Sequence, residues 1–449
     1  MGVRRATASA TFQHGGVHRP GGARHGSGHA RRLTVRILYL HPKSWTGEYS
    51  MLAELRERGH EVCVLEEKRR LAPRRWVQAD FFDRPGDGIA TCWYDPGRGW
   101  EKLLTWPFDR FFKRGFEGRN LVHRMWMIVR AVKILRPEVI ICSDGFTFAL
   151  PASFLKRLKL VKSPLVASYI GGDILDCPHA EVGRSREGWT GRLLAHSYPG
   201  IDVLRPVSPM LQDVLIGDGI SPARIRVCPS HLVATAAVIE SIRSRRAELR
   251  IEMRSRWGIA PDAPTIVTLS ANIKGKGLHV LARSWPLVLR AVPQARWLLC
   301  GPQSAWMRDH VLPVLEAAGA ASTLACTGEL SGESVFEHLA TGDLHVNPSL
   351  CEGLNMVTVE AAAVGTPTIT TSAAGIAAWI ERSSAGAVVP AGEEGPLADA
   401  IIAALLQPNR LLEWSSAAIA MSREFTLENV AGQLVEILHQ AVDLNSPSK

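Results

Sequence analysis

Short β-branched runs alternate with helix-length stretches along this chain, and they do so in two separate series. The first series holds "TVRILYL" (34–40), a helical stretch at 47–58, "VCVLEE" (62–67) and "EVIICSD" (138–144). It continues with an amphipathic stretch near 146–160, "PLVASYI" (164–170), "DVLRPVS" (202–208), a helix near 209–217 and "IRVCP" (225–229). Strands that are apolar throughout and separated by helices require a parallel sheet covered on both faces. Residues 229–262 interrupt the rhythm with the arginine-rich "SIRSRRAELRIEMRSRWG" and then "IAPDAP", whose prolines before a strand suit an interdomain connection. The second series runs through "TIVTLSA" (265–271), "ARWLLCG" (295–301), "STLACTG" (322–328), "DLHVNPS" (343–349), "TPTITT" (366–371) and "GAVVP" (386–390). Its helices are expected at 277–291, 305–318, 332–341 and 354–364, and three more follow at 394–406, 409–422 and 427–441.

At 449 residues the chain exceeds one ordinary core, so the two series predict two α/β domains, each a Rossmann-like doubly wound sheet. The boundaries expected are a basic tail at 1–32, a first domain at 33–228, a second at 229–425 and a terminal helix at 426–449 that packs back on the first domain. Ligands of such sheets bind beyond the carboxyl ends of the strands, so the site is expected in a cleft between the domains.

The net charge of +9 is unevenly placed. Residues 1–32 carry six arginines and no acids, with four histidines and seven glycines, a composition that cannot repay the entropy of ordering. No apolar core follows those arginines, so they do not form a signal peptide. The stretch 93–136 holds ten lysines and arginines against four acids, interleaved with Trp93, Trp100, Trp106, Phe108, Phe111, Phe112, Phe116 and Trp126. That mixture suits an anionic membrane surface, and a helical hairpin with solvated arginines is the competing reading. No stacking aromatics accompany the arginines of the tail, which argues against nucleic acid. An apolar run of 18 residues is absent, which argues against a transmembrane helix. The eight cysteines form no C-x-x-C pair and read as buried reduced thiols of a cytoplasmic protein. The histidines lack metal-ligand spacing.

The stretch "NPSLCEGLNMVTVEAAAVGTPTITT" (347–371) sets Glu352 in a loop after a strand and Glu360 about two turns into the following helix. Amides at the start of that helix suit phosphate, and carboxylates near phosphate repel it unless they bind hydroxyls instead. Sugar and ribose are the hydroxyl-bearing groups that fit. The order "NPS…EG…E-A-A-A-x-G-T-P" resembles the donor-site signature of the glycosyltransferases of family 4, retaining enzymes of the GT-B fold. "LSANIKGKGLHVLARSW" (269–285), "WLLCGPQ" (297–303), "CTGEL" (326–330), "ELRERGHEVCVL" (54–65) and "YIGGD" (169–173) are similar to further features of that family.

The resemblance implies a hexosyl transfer from a UDP- or GDP-linked sugar to a hydroxyl of a glycan or lipid-linked acceptor, with no metal or other cofactor. It implies Glu352 beside the donor sugar, with the backbone of Gly353, Leu354 and Asn355 on sugar hydroxyls. Val357 and Thr358 match amides near the diphosphate, Glu360 the ribose-binding carboxylate, and Lys276 a phosphate-binding lysine. Thr327, Glu329 and Leu330 fall on the loop around the base; Gly47, Glu48, Gly172 and Asp173 face the cleft from the first domain. Asn272 stands where the family usually has arginine, and Lys274 is the candidate to replace that cation or is a solvated loop residue. Ile170 stands where many members have histidine. Those departures keep open a non-catalytic scaffold of the same fold, beside a phosphorylase, sugar-phosphate synthase or epimerase.

Overall fold

The computed structural model describes residues 34–41, 46–67, 90–94, 121–183 and 188–444. The basic tail and residues 95–120, where most of the membrane-docking expectation rests, lie outside the described residues. The strands are β1 (Arg36–His41), β2 (Glu61–Glu67), β3 (Ala90–Tyr94), β4 (Val139–Cys142), β5 (Leu165–Tyr169), β6 (Asp176–Cys177), β7 (Val182–Gly183) and β8 (Val203–Pro206). They continue with β9 (Thr265–Leu269), β10 (Arg296–Cys300), β11 (Leu324–Gly328), β12 (Leu344–Asn347), β13 (Thr368–Thr371) and β14 (Gly386–Val389).

Two six-stranded sheets result, ordered β3-β2-β1-β4-β5-β8 and β11-β10-β9-β12-β13-β14, and every pairing in them is parallel. This is one doubly wound topology used twice, and each copy reverses its winding between its first and fourth strands. The loops leaving β1 and β4 therefore open one crevice, and those leaving β9 and β12 open the other. Burial explains the composition of the strands: Val139 through Cys142, Leu165 through Tyr169 and Ile266 through Val267 are all enclosed.

Four expectations about the elements need correction. "IRVCP" is not a strand: the amides of Arg226 and Cys228 bond to the carbonyls of Leu204 and Pro206, and only Ile225 bridges to β8. Pro206 has no N–H to return, so the ladder stops. The helix expected at 305–318 is two, Ala305–His310 and Leu312–Ala317, with Pro313 in the first turn of the second. The edge strand β3 was not foreseen. The arginine-rich connection is two helices, Ala236–Ser244 and Arg246–Arg256. The second docks on the second domain: Arg254 donates to the carbonyls of Thr341, Pro261 and Ala263 and pairs with Asp343 at 2.9 Å.

The reduced-thiol reading is also overturned at one pair, because Cys177 and Cys351 form a disulfide across 174 residues of sequence. Each cysteine stands alone in its own segment, so spacing gives no sign that folding brings them together. Cys142, Cys228 and Cys300 are buried thiols, and burial pushes Cys300 up to about 12.

The last helix, Leu427–Leu444, leaves the second domain and packs on the first. Val430, Ala431, Leu434, Ile437, Leu438 and Ala441 join Ile37, Tyr39, Val64, Ile141 and Val166 in one buried cluster. No helix among the described residues is long and apolar enough to cross a membrane. Arg124, counted among the membrane-facing cations, is instead buried over the ring of Phe148.

Candidate active site

The site is built where β9 and β12 end. β12 delivers Asn347, whose side-chain amide donates to the Thr370 hydroxyl on β13 at 3.0 Å. The chain then turns through Pro348 to Asn355 and enters the helix Met356–Ala363. Asn355 caps that helix in the left-handed region, φ 80°, which asparagine tolerates better than most residues. Its carboxamide oxygen accepts from the Thr358 amide at 2.8 Å while its nitrogen donates to Glu352 at 2.9 Å. One side chain thus fixes both the helix start and the carboxylate in front of it.

From the other side β9 leads to the tight turn Lys274–Lys276, which ends at Gly277, φ 68°. A β-carbon on Gly277 would stand 1.9 Å from the carbonyl oxygen of Pro348, so only glycine lets the two loops meet. Their meeting sets Lys276 Nζ at 2.6 and 2.7 Å from the two carboxylate oxygens of Glu352. Ser349 Oγ lies 2.9 Å from the same carboxylate. The carboxylate is therefore half-buried and held by three side chains, and it fixes an ammonium group at the mouth of a parallel sheet. Glu360 differs. Among the described residues it has no such cation, and burial raises its carboxyl to about 7.

The first domain closes over this loop. Ser208, at the start of the helix Pro209–Gly217, donates from Oγ to the Gly353 carbonyl at 2.6 Å. A β-carbon on Gly353 would meet the Ile170 carbonyl oxygen at 2.1 Å, and one on Gly171 would meet the Gly353 α-carbon at 2.9 Å. Behind this contact lies a set of buried carboxyls. Asp173 accepts from the amides of Gly145, Ile170 and Gly171, and burial raises it to about 6. Asp144 accepts from the Phe146 amide and is also raised by burial. Glu48 is raised to about 8, chiefly by burial, with the positive field of Arg205 opposing it.

Several expected donor residues are placed otherwise. Asn272, itself at φ 54°, is fully buried; its carboxamide donates to the Pro302 carbonyl and Met307 Sδ. It shapes the turn and offers nothing to a phosphate. Lys274 pairs with Glu181 of the first domain at 3.2 Å. The Thr358 amide is taken by Asn355, so the cap occupies one of the two amides assigned to the diphosphate. Gly353 is covered by Ile170 and Gly171, while Leu354 is buried. Asp173 organises backbone and Gly172 is exposed beside it. Gly47 and Glu48 lie in the first turn of the helix Thr46–Glu57 that follows β1. Thr327, whose hydroxyl donates to the Gly328 carbonyl, sits with exposed Glu329 and half-buried Leu330 at the end of β11. The sequence reading missed Asn347, Ser349, Ser208 and Asp144. "NPS", separated from the glutamate by two residues, was the available sign for the first two.

Among the described residues no three His, Cys, Asp or Glu side chains converge on a point that could hold a metal ion.

The chain is similar to known proteins over both domains. A model described as "Glycosyl transferases group 1" matches residues 263–407, and one described as "Glycosyl transferase 4-like domain" matches residues 46–231. A GDP-mannose-dependent alpha-(1-6)-phosphatidylinositol monomannoside mannosyltransferase of Mycobacterium tuberculosis is 25% identical over 199 residues, 42% of this chain and 50% of that protein. The alpha-D-kanosaminyltransferase of Streptomyces kanamyceticus is 25% identical over 218 residues, 47% of this chain and 55% of that protein. The chain thus spans about half the length of the curated relatives it matches. Among solved structures, HepE of Anabaena in complex with UDP and glucose superposes with a TM-score of 0.66 at 17% identity, covering 90% of this chain and 100% of that one. The sucrose-phosphate synthase of Thermosynechococcus elongatus gives 0.66 at 16% identity, with 91% and 100% covered.

Proposed function

The chain belongs to the group 1 glycosyltransferases and has their GT-B fold, and from that premise we propose a retaining transfer of a hexosyl unit from a UDP- or GDP-linked sugar to a hydroxyl of a lipid-linked or glycan acceptor. The observation that carries the reading is the Lys276–Glu352 pair at the carboxyl ends of β9 and β12. Without a donor the carboxylate neutralises the ammonium. When a diphosphate arrives, Lys276 has a second, more highly charged partner, and the leaving group gains a cation as the anomeric C–O bond breaks. Glu352, relieved of part of its lysine, faces the positive charge that develops at the anomeric carbon. The departing phosphate oxygen takes the acceptor's proton as the acceptor oxygen bonds to the same face of that carbon. Glu360, buried without a cation, binds the ribose diol, whose two hydroxyls satisfy a carboxylate that the fold alone leaves poorly solvated.

Support for a nucleotide-linked donor comes from the solved likeness that holds UDP and glucose and from the relative named for GDP-mannose. The reaction we infer is metal-independent, with Lys276 supplying the positive charge. The setting is the cytoplasm, with the first domain's basic and aromatic stretch against the inner face of the membrane. The test is release of UDP or GDP from UDP- and GDP-hexoses by the purified full-length protein, with Lys276→Ala beside it. Release above background that Lys276→Ala lowers at least a hundredfold supports the transferase; binding without any release, with every donor tried, would support a scaffold instead.

A further inference from the structure

The disulfide joins the two sides of the cleft at its most consequential point. Cys351 immediately precedes Glu352 in the loop that holds Lys276, while Cys177 ends β6 in the short hairpin of the first domain. That hairpin lies over the donor loop at several places. Glu181 pairs with Lys274, and a β-carbon on Gly275 would meet Val182 at 2.4 Å and the Ala180 carbonyl oxygen at 3.0 Å. Just before the hairpin, Gly171 rests on Gly353. The hairpin with Ile170 and Gly171 is thus a roof over the loop that carries the Lys276–Glu352 pair.

We propose that Cys177–Cys351 is a thiol–disulfide switch: oxidised, it locks this roof shut, and reduced, it lets the cleft open for exchange of a nucleotide-linked donor, an inference that rests on the donor reading above. Two polar contacts across the cleft are of a kind that breaks and re-forms during domain motion. Lys274–Glu181 is an exposed ion pair and Ser208–Gly353 a single hydrogen bond. The disulfide holds its α-carbons 6.4 Å apart, near the upper limit such a bond spans, so any hinge motion that parts these loops requires its cleavage. Disulfides of cytosolic proteins are usually transient or redox-sensing.

Cys177 is the more exposed end and Cys351 is buried, which sets the order of attack. A dithiol reductant attacks Cys177 Sγ, and the S–S electron pair leaves on Cys351, which takes a proton. The reductant's second thiol then closes on its own sulfur and expels Cys177 as a thiol. Two electrons and two protons pass from the dithiol, which becomes a cyclic disulfide, to the protein.

The test uses the full-length protein prepared oxidised and after dithiothreitol, with the 177–351 linkage scored by peptide mass mapping. Hydrogen exchange over 170–183 and stopped-flow release of fluorescent UDP and GDP analogues are then measured. Oxidised protein is expected to exchange and release at least tenfold more slowly than reduced protein, with Cys177→Ser fast in both conditions and Cys177→Ala a second variant should serine disturb folding. Equal rates in the two states, absence of the linkage under oxidation, or persistent sensitivity to dithiothreitol in a Cys177 variant would overturn the switch. If the reduced protein binds neither nucleotide, the donor reading fails, and the exchange rates alone then decide whether the roof is locked.

Discussion

Glu352 and Glu360 stand eight positions apart with opposite environments, and the difference separates their roles. Glu352 is saturated by Lys276, Asn355 and Ser349, so its side chain is fixed in place before any ligand binds. Glu352→Gln should lower turnover a hundredfold or more, about 2.7 kcal/mol of transition-state stabilisation. Nucleoside diphosphate affinity should hold or rise, because the substitution releases Lys276. Titration calorimetry beside steady-state kinetics reads both, and a loss of nucleotide affinity with turnover intact would reverse the assignment. Glu360→Gln should instead raise the donor's KM and weaken nucleoside diphosphate by roughly 1–3 kcal/mol, since a ribose contact persists in ground and transition states alike. Glu360 also carries a pH signature. Its folded value of about 7 exceeds the usual 4.5, so the folded protein keeps a proton that the unfolded chain has lost. Its stabilising contribution is complete below about pH 4.5 and disappears as pH rises through 7. Ribose hydroxyls prefer the ionised carboxylate, so nucleoside diphosphate binding should release a proton and tighten from pH 6 to 8. The same titration with Glu360→Gln should lose the part of that slope that Glu360 contributes; identical slopes in the two proteins would refute the ribose role.

The helix Arg246–Arg256 shows what an element's sequence conceals. Its arginines read only as part of an interdomain connection, yet Arg246, Arg250 and Arg254 recur every four residues and so share one face. That face meets the carboxyl end of the helix Glu333–Thr341, where the carbonyls of Ala340, Thr341 and Gly342 accept from Arg246 and Arg254. Cations there complement the helix dipole, and Asp343 pairs with both Arg250 and Arg254 while accepting from the Thr265 amide at the start of β9. Asp343→Asn leaves Arg254, 1% exposed, without its counter-ion. It should cost about 3–5 kcal/mol in denaturant unfolding, whereas Arg245→Ala, in an exposed pair, should change stability by less than about 1 kcal/mol. Comparable losses in both would show that the cluster is not a buried network. The strands were legible because burial on both faces leaves an unbroken apolar run, and the loop between β12 and the helix Met356–Ala363 because its residues are contiguous. Arg254 and Asp343 are 89 residues apart and Cys177 and Cys351 are 174 apart. Their pairing depends on how helices and loops dock, to which no local pattern responds. Asn272 shows the same limit: a motif position predicts a place in the turn, and only packing decides that its side chain points to Pro302 and Met307.

At the scale of the molecule, the chain's path makes the two domains depend on one another. The helix Pro408–Ser422 packs on the second domain, against the helices Met356–Ala363 and Ala377–Ser383. After the short turn Arg423–Phe425 the chain crosses to the first domain, and Leu427–Leu444 covers the face of its sheet that Ile37, Tyr39, Ile141 and Val166 present. Arg226 fixes the register from the first-domain side through a bond to Gln440 at 2.8 Å. The first domain therefore lacks a complete core until the last helix arrives, although nearly 200 residues of second-domain chain intervene between β8 and that helix. Leu438 is fully buried there, and Leu438→Ala removes one methine and two methyl groups from a packed cluster. The expected cost is about 2–5 kcal/mol. If the helix belongs energetically to the first sheet, the loss should appear as faster hydrogen exchange in β1, β4 and β5, with β9, β10 and β12 unaffected. Exchange that rises equally in both sheets would mean that the two domains unfold as one unit. A rise confined to the second sheet would place the helix's stabilising contacts on the wrong domain altogether.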